Sequence, residues 1–406
     1  MNFLFILLFP FLFSVSSYAQ APPDETKSLL QSLQERLAKL EAAPAKPSLS
    51  AFNPAMGLAL DTVFRNDSSD KARFQFRAAE LNIESPVDPY LKGWAVINGN
   101  EGGVEVEEMA LQTTSLPWNL TVTGGRLFAD FGRLSHFHDD SLPVIDRPRT
   151  LDAYMNGESQ AQGVEISWLA PTPFYLNATA GVFNQIGAEN ERTTNDFLRS
   201  LDAMTYLGRL NTYAELGDHS LELGGSVAWT PKRYVTDTSV AGTDFNADGT
   251  IDTPNDSAGI QTVKNTWRTL SGIDLTYRWQ PAGGGLYKEV TWGTEVLMNN
   301  ERRFNATTNL PTGRVRAWGG YSYIQVKLGR RWRPGAMLDI SEDLDRSRSV
   351  TKTMTGFLSF YMTEYQRLRL SGARTTNNTP GRMGSNVVAL QWTGFLGHHV
   401  HGFRDR

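Results

Sequence analysis

An all-β chain closing into a transmembrane antiparallel β-barrel of about 16 strands is the fold class that the sequence predicts, and three observations predict it. Apolar and polar side chains alternate over most of the chain, as in Leu120/Val122 against Thr121/Thr123 and in Val388/Leu390/Trp392 against Ala389/Gln391/Thr393. A secretory-type leader precedes this pattern. The connections between the alternating segments are long on one side and short on the other, as in barrels with external loops and tight periplasmic turns.

The leader is residues 1–19, with an apolar run from Phe3 to Phe13 and small residues up to Ala19, so cleavage is expected before Gln20. A retained anchor is the alternative. Residues 20–50 follow as a periplasmic helical segment and linker: Leu30, Leu33, Leu37 and Leu40 form a short coiled-coil-like a/d seam, ended by Pro44 and Pro47. It would join three copies, lie on the barrel or touch the cell wall, or stand as an ordinary solvated helix.

Residues 51–406 are the barrel. Strands of roughly 10–13 residues, suited to a tilted span of the hydrocarbon layer, are expected to begin near 55, 73, 89, 103, 118, 161, 174, 203, 219, 264, 288, 314, 331, 351, 365 and 384. With β1 running outward, the long connections 129–160, 186–202 and 231–263 all fall on the external side. Short turns such as Leu116-Pro117 and Gly217-Asp218 fall on the other, which places both chain ends in the periplasm. In the fourth strand Glu105 and Glu107 alternate with Val104 and Val106, then Glu108 breaks the parity, and a bulge at Glu107-Glu108 would restore it.

Composition excludes several other classes. After the leader no apolar run approaches the ~20 residues of a membrane helix. Cysteine is absent, which removes disulfides, thiol nucleophiles and thiolate-bound metals. A net charge of −4 is too small to imply nucleic acid. No Ser, His and Asp assemble on neighbouring strands, so no enzyme is expected. Charge is nonetheless segregated: residues 80–108 carry seven carboxylates against Lys92 alone, whereas residues 299–384 hold fifteen Lys/Arg against six Asp/Glu.

Closing the last strand on the first brings those segments together around one seam. Glu105 and Glu107, together with Arg314, Arg316, Arg367 and Arg369, are therefore expected to line the lumen and set ion preference, unless they only solvate it. A 16-stranded barrel encloses a channel, and loop 129–160 is the candidate constriction. Its Asp139, Asp140, Asp146, Arg147 and Arg149 would supply fixed charge and Pro143 and Pro148 stiffness; an external lid is the alternative.

Two metal sites are candidates. Residues 244–252 follow the calcium-loop order, with Asp244, Asn246, Asp248, Thr250 and Asp252 as ligands, although Asn255 stands where a bidentate carboxylate is expected. His136 and His138, spaced i, i+2, would point the same way on a strand and suit Zn²⁺; the triplet His398, His399 and His401 reads as polar end-of-barrel residues.

Segment 78–183 carries a family likeness through Ala79-Glu80-Leu81-Asn82, Val87-Asp88-Pro89-Tyr90, Val104-Glu105-Val106-Glu107-Glu108, Gly125-Arg126, Phe131-Gly132-Arg133, His136-Phe137-His138, Asp146-Arg147-Pro148 and Trp168-Leu169-Ala170-Pro171-Thr172. It resembles Gram-negative outer-membrane porin-like proteins, some of them labelled zinc-regulated TonB-dependent outer membrane receptors, and its Gly-Arg-x-x-x-x-Phe-Gly piece is similar to phosphate-selective-type porins. The resemblance implies outer-membrane transport and a connection to zinc. The receptor label fits poorly, since such a transporter has about 22 strands and a plug, and residues 20–54 leave no room for one. The expectation is a porin-like channel in the bacterial outer membrane. It would pass small hydrophilic solutes or ions, require no cofactor, and have lipid and a homotrimer as its partners. The alternative is a binding, anchoring or metal-related receptor protein with a closed lumen.

Overall fold

The computed structural model describes residues 54–68, 72–187, 201–233, 266–305, 310–344, 348–380 and 384–397. The expected leader and helical segment, the candidate calcium loop at 244–252 and the C-terminal histidines lie outside the described residues.

Sixteen antiparallel strands form one closed barrel in chain order. They are β1 (Ala55–Asp67), β2 (Arg73–Asp88), β3 (Leu91–Asn100), β4 (Gly103–Thr113), β5 (Leu120–Phe128), β6 (Gln160–Leu169), β7 (Tyr175–Ile186) and β8 (Thr205–Leu216). They continue as β9 (His219–Arg233), β10 (Thr266–Trp279), β11 (Lys288–Asn305), β12 (Leu310–Leu328), β13 (Trp332–Glu342), β14 (Val350–Thr363), β15 (Gln366–Asn377) and β16 (Ser385–Gly397). β1 pairs with β16 from Gly57↔Gly397 to Asp67↔Val387, so no strand edge is left open. Every start lies within two residues of the expected position except that of β12, at Leu310 rather than 314. Pro311 and Gly313 read as punctuation, but a register shift between Arg302 and Phe304 sets Pro311 opposite Phe304 and lets the strand run past it.

The alternation is inverted relative to a water-soluble protein. In β16 Val388, Leu390 and Trp392 are exposed on the outer face, while Ala389, Gln391 and Thr393 are buried inside. Lipid is the solvent that makes this distribution favourable. Trp118, Trp168, Tyr175, Tyr287, Trp332 and Tyr365 are exposed beside the short turns, where an aromatic girdle meets the membrane surface.

Two register shifts matter for the lumen. Between β3 and β4, Val96 pairs with Glu108 and Ile97 with Val106, so Glu107 is the additional residue of the bulge. Between β1 and β2, Asp61 pairs with Ala78 and Thr62 with Phe76, so Arg77 is additional there. In both places the apolar parity switches across a charged residue: Phe74/Phe76 to Ala79/Leu81, and Val104/Val106 to Met109/Leu111. A bulge adds a side chain to one face without disturbing the alternation on either side.

Candidate functional site: the lumen and the loop against its inner wall

Connection 129–159 turns back against the inward-facing side chains of the strands. Its path is set by two features. Gly132 adopts φ +63°, a left-handed backbone that favours glycine, and a Cβ there would stand 2.1 Å from Glu295 Oε1 of β11, so any larger residue would also have to displace that carboxylate. Further along, helix α1 (Arg149–Met155) ends at Asn156 in the left-handed region, φ 59°. It packs where β12 presents Gly319, whose missing side chain leaves space for Thr150 and Tyr154.

The loop carries its own apolar cluster. Phe131, Leu134, Leu142, Leu151, Tyr154 and Met155 are all 0% exposed, packed with Leu127, Ile186, Leu297 and Ala317 of the wall. In an aqueous lumen such residues gain by clustering. Their number separates this loop from an open, solvated one.

Polar side chains anchor it around most of the circumference. Asp130 Oδ2 accepts from Thr179 on β7 at 2.8 Å, and its Oδ1 pairs with Arg209 of β8 at 3.2 Å. The Gly132 amide donates to Ser226 of β9 at 3.0 Å, and the Leu134 amide to Tyr321 of β12 at 3.2 Å. Thr150 N donates to Asp339 of β13 at 3.1 Å, while Arg268 of β10 donates to Tyr154 O. On the other side of the barrel Arg367 donates to Asp140 O at 2.6 Å and Arg369 to Val144 O at 2.8 Å. Arg77, the bulge residue of β2, donates to Ile145 O at 2.7 Å and pairs with Asp139. Within the loop Arg147 donates to Leu134 O at 3.0 Å, to Phe137 O at 2.5 Å and to Glu158 at 2.6 Å.

The expected lumenal charges are sorted by these contacts. Glu107 and Glu108 both point inward, buried, through the bulge. Glu105 shares the inner face with its cross-strand partner Asn98 and is exposed toward the rim. Arg367 and Arg369 point inward but are 2% and 1% exposed, held to loop carbonyls. Asp140 is buried, Asp139 engages Arg77 and Arg147, and Asp146 engages Arg65. Arg314 and Arg316 correct the expectation: inward positions of β12 are Ala317, Gly319, Tyr321 and Tyr323, which puts both arginines on the outer face. Arg314 donates to Asn300 at 2.6 Å and lies over Trp267. Small residues face inward there because α1 fills the space, so local alternation around Val315 misleads.

His136 and His138 do not form the expected pair. Residues 134–138 are irregular rather than a strand, so i, i+2 spacing does not align the rings. Both rings are buried, in opposite environments. Burial lowers the His136 pKa, with Arg209 and Arg133 nearby adding to the effect. Burial would lower His138 as well, but hydrogen bonds with Glu107 and Glu108 raise it well above the ordinary imidazole range. His138 Nδ1 is 3.1 Å from Glu107 Oε2 and its Nε2 3.3 Å from Glu108 Oε2. Burial pushes the Glu158 carboxyl up to about 7 against the pull of Arg147.

Two cavities flank the loop. One, about 460 Å³, is lined by His136, His138 and Ser141 of the loop and by Tyr213, Glu222 and Arg278 near the short turns. The other, about 670 Å³, is lined by Asp146, Arg149 and Asp152 of the loop and by Asp67, Glu342 and Thr375 near the long connections. Their lining residues do not overlap.

No family model matches the chain. It is 27% identical over 395 residues to an uncharacterized protein of Aquifex aeolicus, covering 86% of this chain and 78% of that one. Among solved structures it is similar to the anion-selective porin of Comamonas acidovorans, with a TM-score of 0.52 and 11% identity over 85% of this chain and 99% of that one. It is also similar to Pseudomonas putida OprB, with a TM-score of 0.53 and 9% identity over 85% and 94% of the two chains. The outer membrane channel DcaP of Acinetobacter baumannii gives 0.53 and 10% identity over 85% and 96%. At these identities the likeness is one of fold: a porin-type 16-stranded barrel.

Proposed function

We propose that the protein is an outer-membrane porin-like channel through which small hydrophilic solutes or ions diffuse passively, with loop 129–159 as its constriction. The observation that carries this reading is the loop anchored within a barrel that is apolar outside and polar inside, with a separate solvent cavity toward each rim. The porin-type fold supports it. Selectivity would be set at the loop, where the inner cavity presents Arg133, Arg209 and Arg278 against Glu222 and Asp274. The outer cavity is more acidic, with Asp67, Asp146, Asp152, Asp339, Glu342 and Asp343 against Arg65, Arg147 and Arg149. A solute crossing the barrel would meet fields of different sign on the two sides of the loop.

A second reading, a barrel closed by the loop and used for binding or anchoring, is favoured by the breadth of the anchoring, which reaches from Arg65 on β1 to Arg369 on β15. Planar-bilayer recording of the purified, refolded protein separates the two. Discrete ionic steps are expected, and they should enlarge when residues 134–156 are replaced by a short Gly/Ser linker. Silence of the wild type at every voltage, with steps only after the loop is replaced, would establish the closed barrel.

A further inference from the structure

The bulge that turns Glu107 and Glu108 into the lumen brings them to Glu80 of β2 and to His138 of the loop. His138 Nδ1 lies 3.1 Å from Glu107 Oε2 and 3.8 Å from Glu80 Oε2, and one ligand atom from each of these three residues falls within 4.8 Å of the others. Ligands at ~2.0 Å from a tetrahedral ion are separated by roughly 3.3 Å, so the observed spacing fits three corners of such a site.

The surroundings point to a cation. Glu80 is 2% exposed, and its Oε2, directed toward the cluster, has no hydrogen-bond partner. Among the described residues neither Glu80 nor Glu107 pairs with a lysine or arginine, their single cationic neighbour being the His138 ring. Buried carboxylates without compensating charge are costly. The outer contacts suit a metal-bound histidine: with Nε2–H donated to Glu108 and the Nδ1 proton displaced by the ion, Nδ1 would present its lone pair to the space between Glu80 and Glu107. Carboxylate-to-histidine support of this kind orients a ligating ring and raises its basicity. Asn98 Nδ2 donates to Glu107 Oε1 at 2.5 Å and the Phe128 amide to Glu108 Oε1 at 3.1 Å, so both carboxylates are held in place.

We infer that Glu80, Glu107 and His138 form a site for one divalent transition-metal ion of the Zn²⁺ type, with Glu108 as the positioning residue behind His138. Two carboxylate oxygens and an imidazole nitrogen are borderline-to-hard donors, which favours such an ion over those that select thiolates. His138 also lines the cavity of about 460 Å³, so the site borders solvent-accessible space on the side of the histidine. An ion here would tie the loop to β2 and β4, whether or not the barrel conducts.

The test uses the full-length barrel, refolded in detergent, stripped with chelator and titrated with Co²⁺ as a spectroscopic probe and then with Zn²⁺ as competitor. We expect visible absorption bands saturating at one Co²⁺ per chain, abolished by Zn²⁺. His138→Ala should remove the bands. Glu80→Gln and Glu107→Gln, which keep side-chain shape, should each weaken binding at least tenfold, and Glu108→Gln should weaken it by about 10–100-fold. His136→Ala should leave affinity and stoichiometry unchanged. The inference is overturned by the absence of saturable Co²⁺ or Zn²⁺ binding, in which case His138 is held by the carboxylates as an imidazolium. It is equally overturned by binding that survives His138→Ala or Glu80→Gln at wild-type affinity, which would place the ion elsewhere in the chain.

Discussion

Replacing both Arg367 and Arg369 by methionine removes two guanidinium donors while keeping side-chain length. Arg367 donates to Asp140 O at 2.6 Å and Arg369 to Val144 O at 2.8 Å, the latter also bonding Ser359 and Gln391 from its buried position. A hydrogen bond from a charged donor contributes about 1.5–3 kcal/mol, and an orphaned buried carbonyl costs about 1–3 kcal/mol. Taking the lower figure for each loop carbonyl, the segment around residues 140–145 loses about 3 kcal/mol of docking energy. That is roughly a hundredfold increase in its open fraction. The barrel wall should not weaken in step, because the backbone pairing of β15 with β14 and β16 is untouched and Gln391 and Thr393 keep their hydrogen bonds to Asp61. Hydrogen–deuterium exchange of the refolded protein therefore has two linked expectations: uptake in peptides spanning 139–147 accelerates by about two decades, the equivalent of ~3 kcal/mol, while β15 and β16 keep their protection. Exchange of that segment within threefold of wild type (about 0.65 kcal/mol) would refute the assignment of these arginines as loop anchors. Loss of protection throughout the barrel would refute the separation of loop from wall.

Gly132→Ala forces a side chain into φ +63° with its Cβ 2.1 Å from Glu295 Oε1; the left-handed backbone alone costs about 1–2 kcal/mol. Shifted or noisier single-channel currents are expected, and currents superimposable on wild type would show that the loop start does not need this approach. Glu158, raised to about 7, binds its proton more tightly in the docked loop than when solvated, with Arg147 and Asp139 as its charged neighbours. The contribution it makes is complete below the solvated carboxyl pKa and is lost as pH rises through about 7. Exchange of residues 129–159 is thus expected to be slower at pH 5 than at pH 8 after correction for intrinsic rates, and Glu158→Gln should flatten that difference; an unchanged pH dependence in the variant would remove Glu158 as its source. In salt-gradient recordings, neutralising Asp146 and Glu342 together should reduce preference for cations, and an unaltered reversal potential would show that the outer cavity does not contribute to selectivity.

Much of the barrel was legible because lipid imposes period-two alternation and closure imposes an even strand count. The Leu120–Thr123 and Val388–Thr393 patterns each identify their strand unaided, and the long connections all fall at one rim. The Glu107-Glu108 bulge was legible from the same rule. Arg77 carried an equivalent signal, the switch from Phe74/Phe76 to Ala79/Leu81, yet it is overlooked when attention rests on charge content rather than parity. The apolar residues of loop 129–159 were also in view, but nothing local says that Leu142, Leu151 and Tyr154 will share one cluster with the far wall.

What the chain determines by itself is therefore whatever short-range periodicity encodes: strands, their inward and outward faces, and the class of solvent on each side. Tertiary structure alone decides which inward charges meet. Arg314 and Arg316 face outward because the inward parity of β12 is that of Ala317 and of Gly319, which stands against α1, and Arg367 and Arg369 serve loop carbonyls more than 200 residues distant in sequence. His138 finds Glu80, Glu107 and Glu108 instead of His136. Alternation specifies only the face on which a side chain lies. Its partner across the lumen depends on barrel closure and on a loop whose path is set by packing.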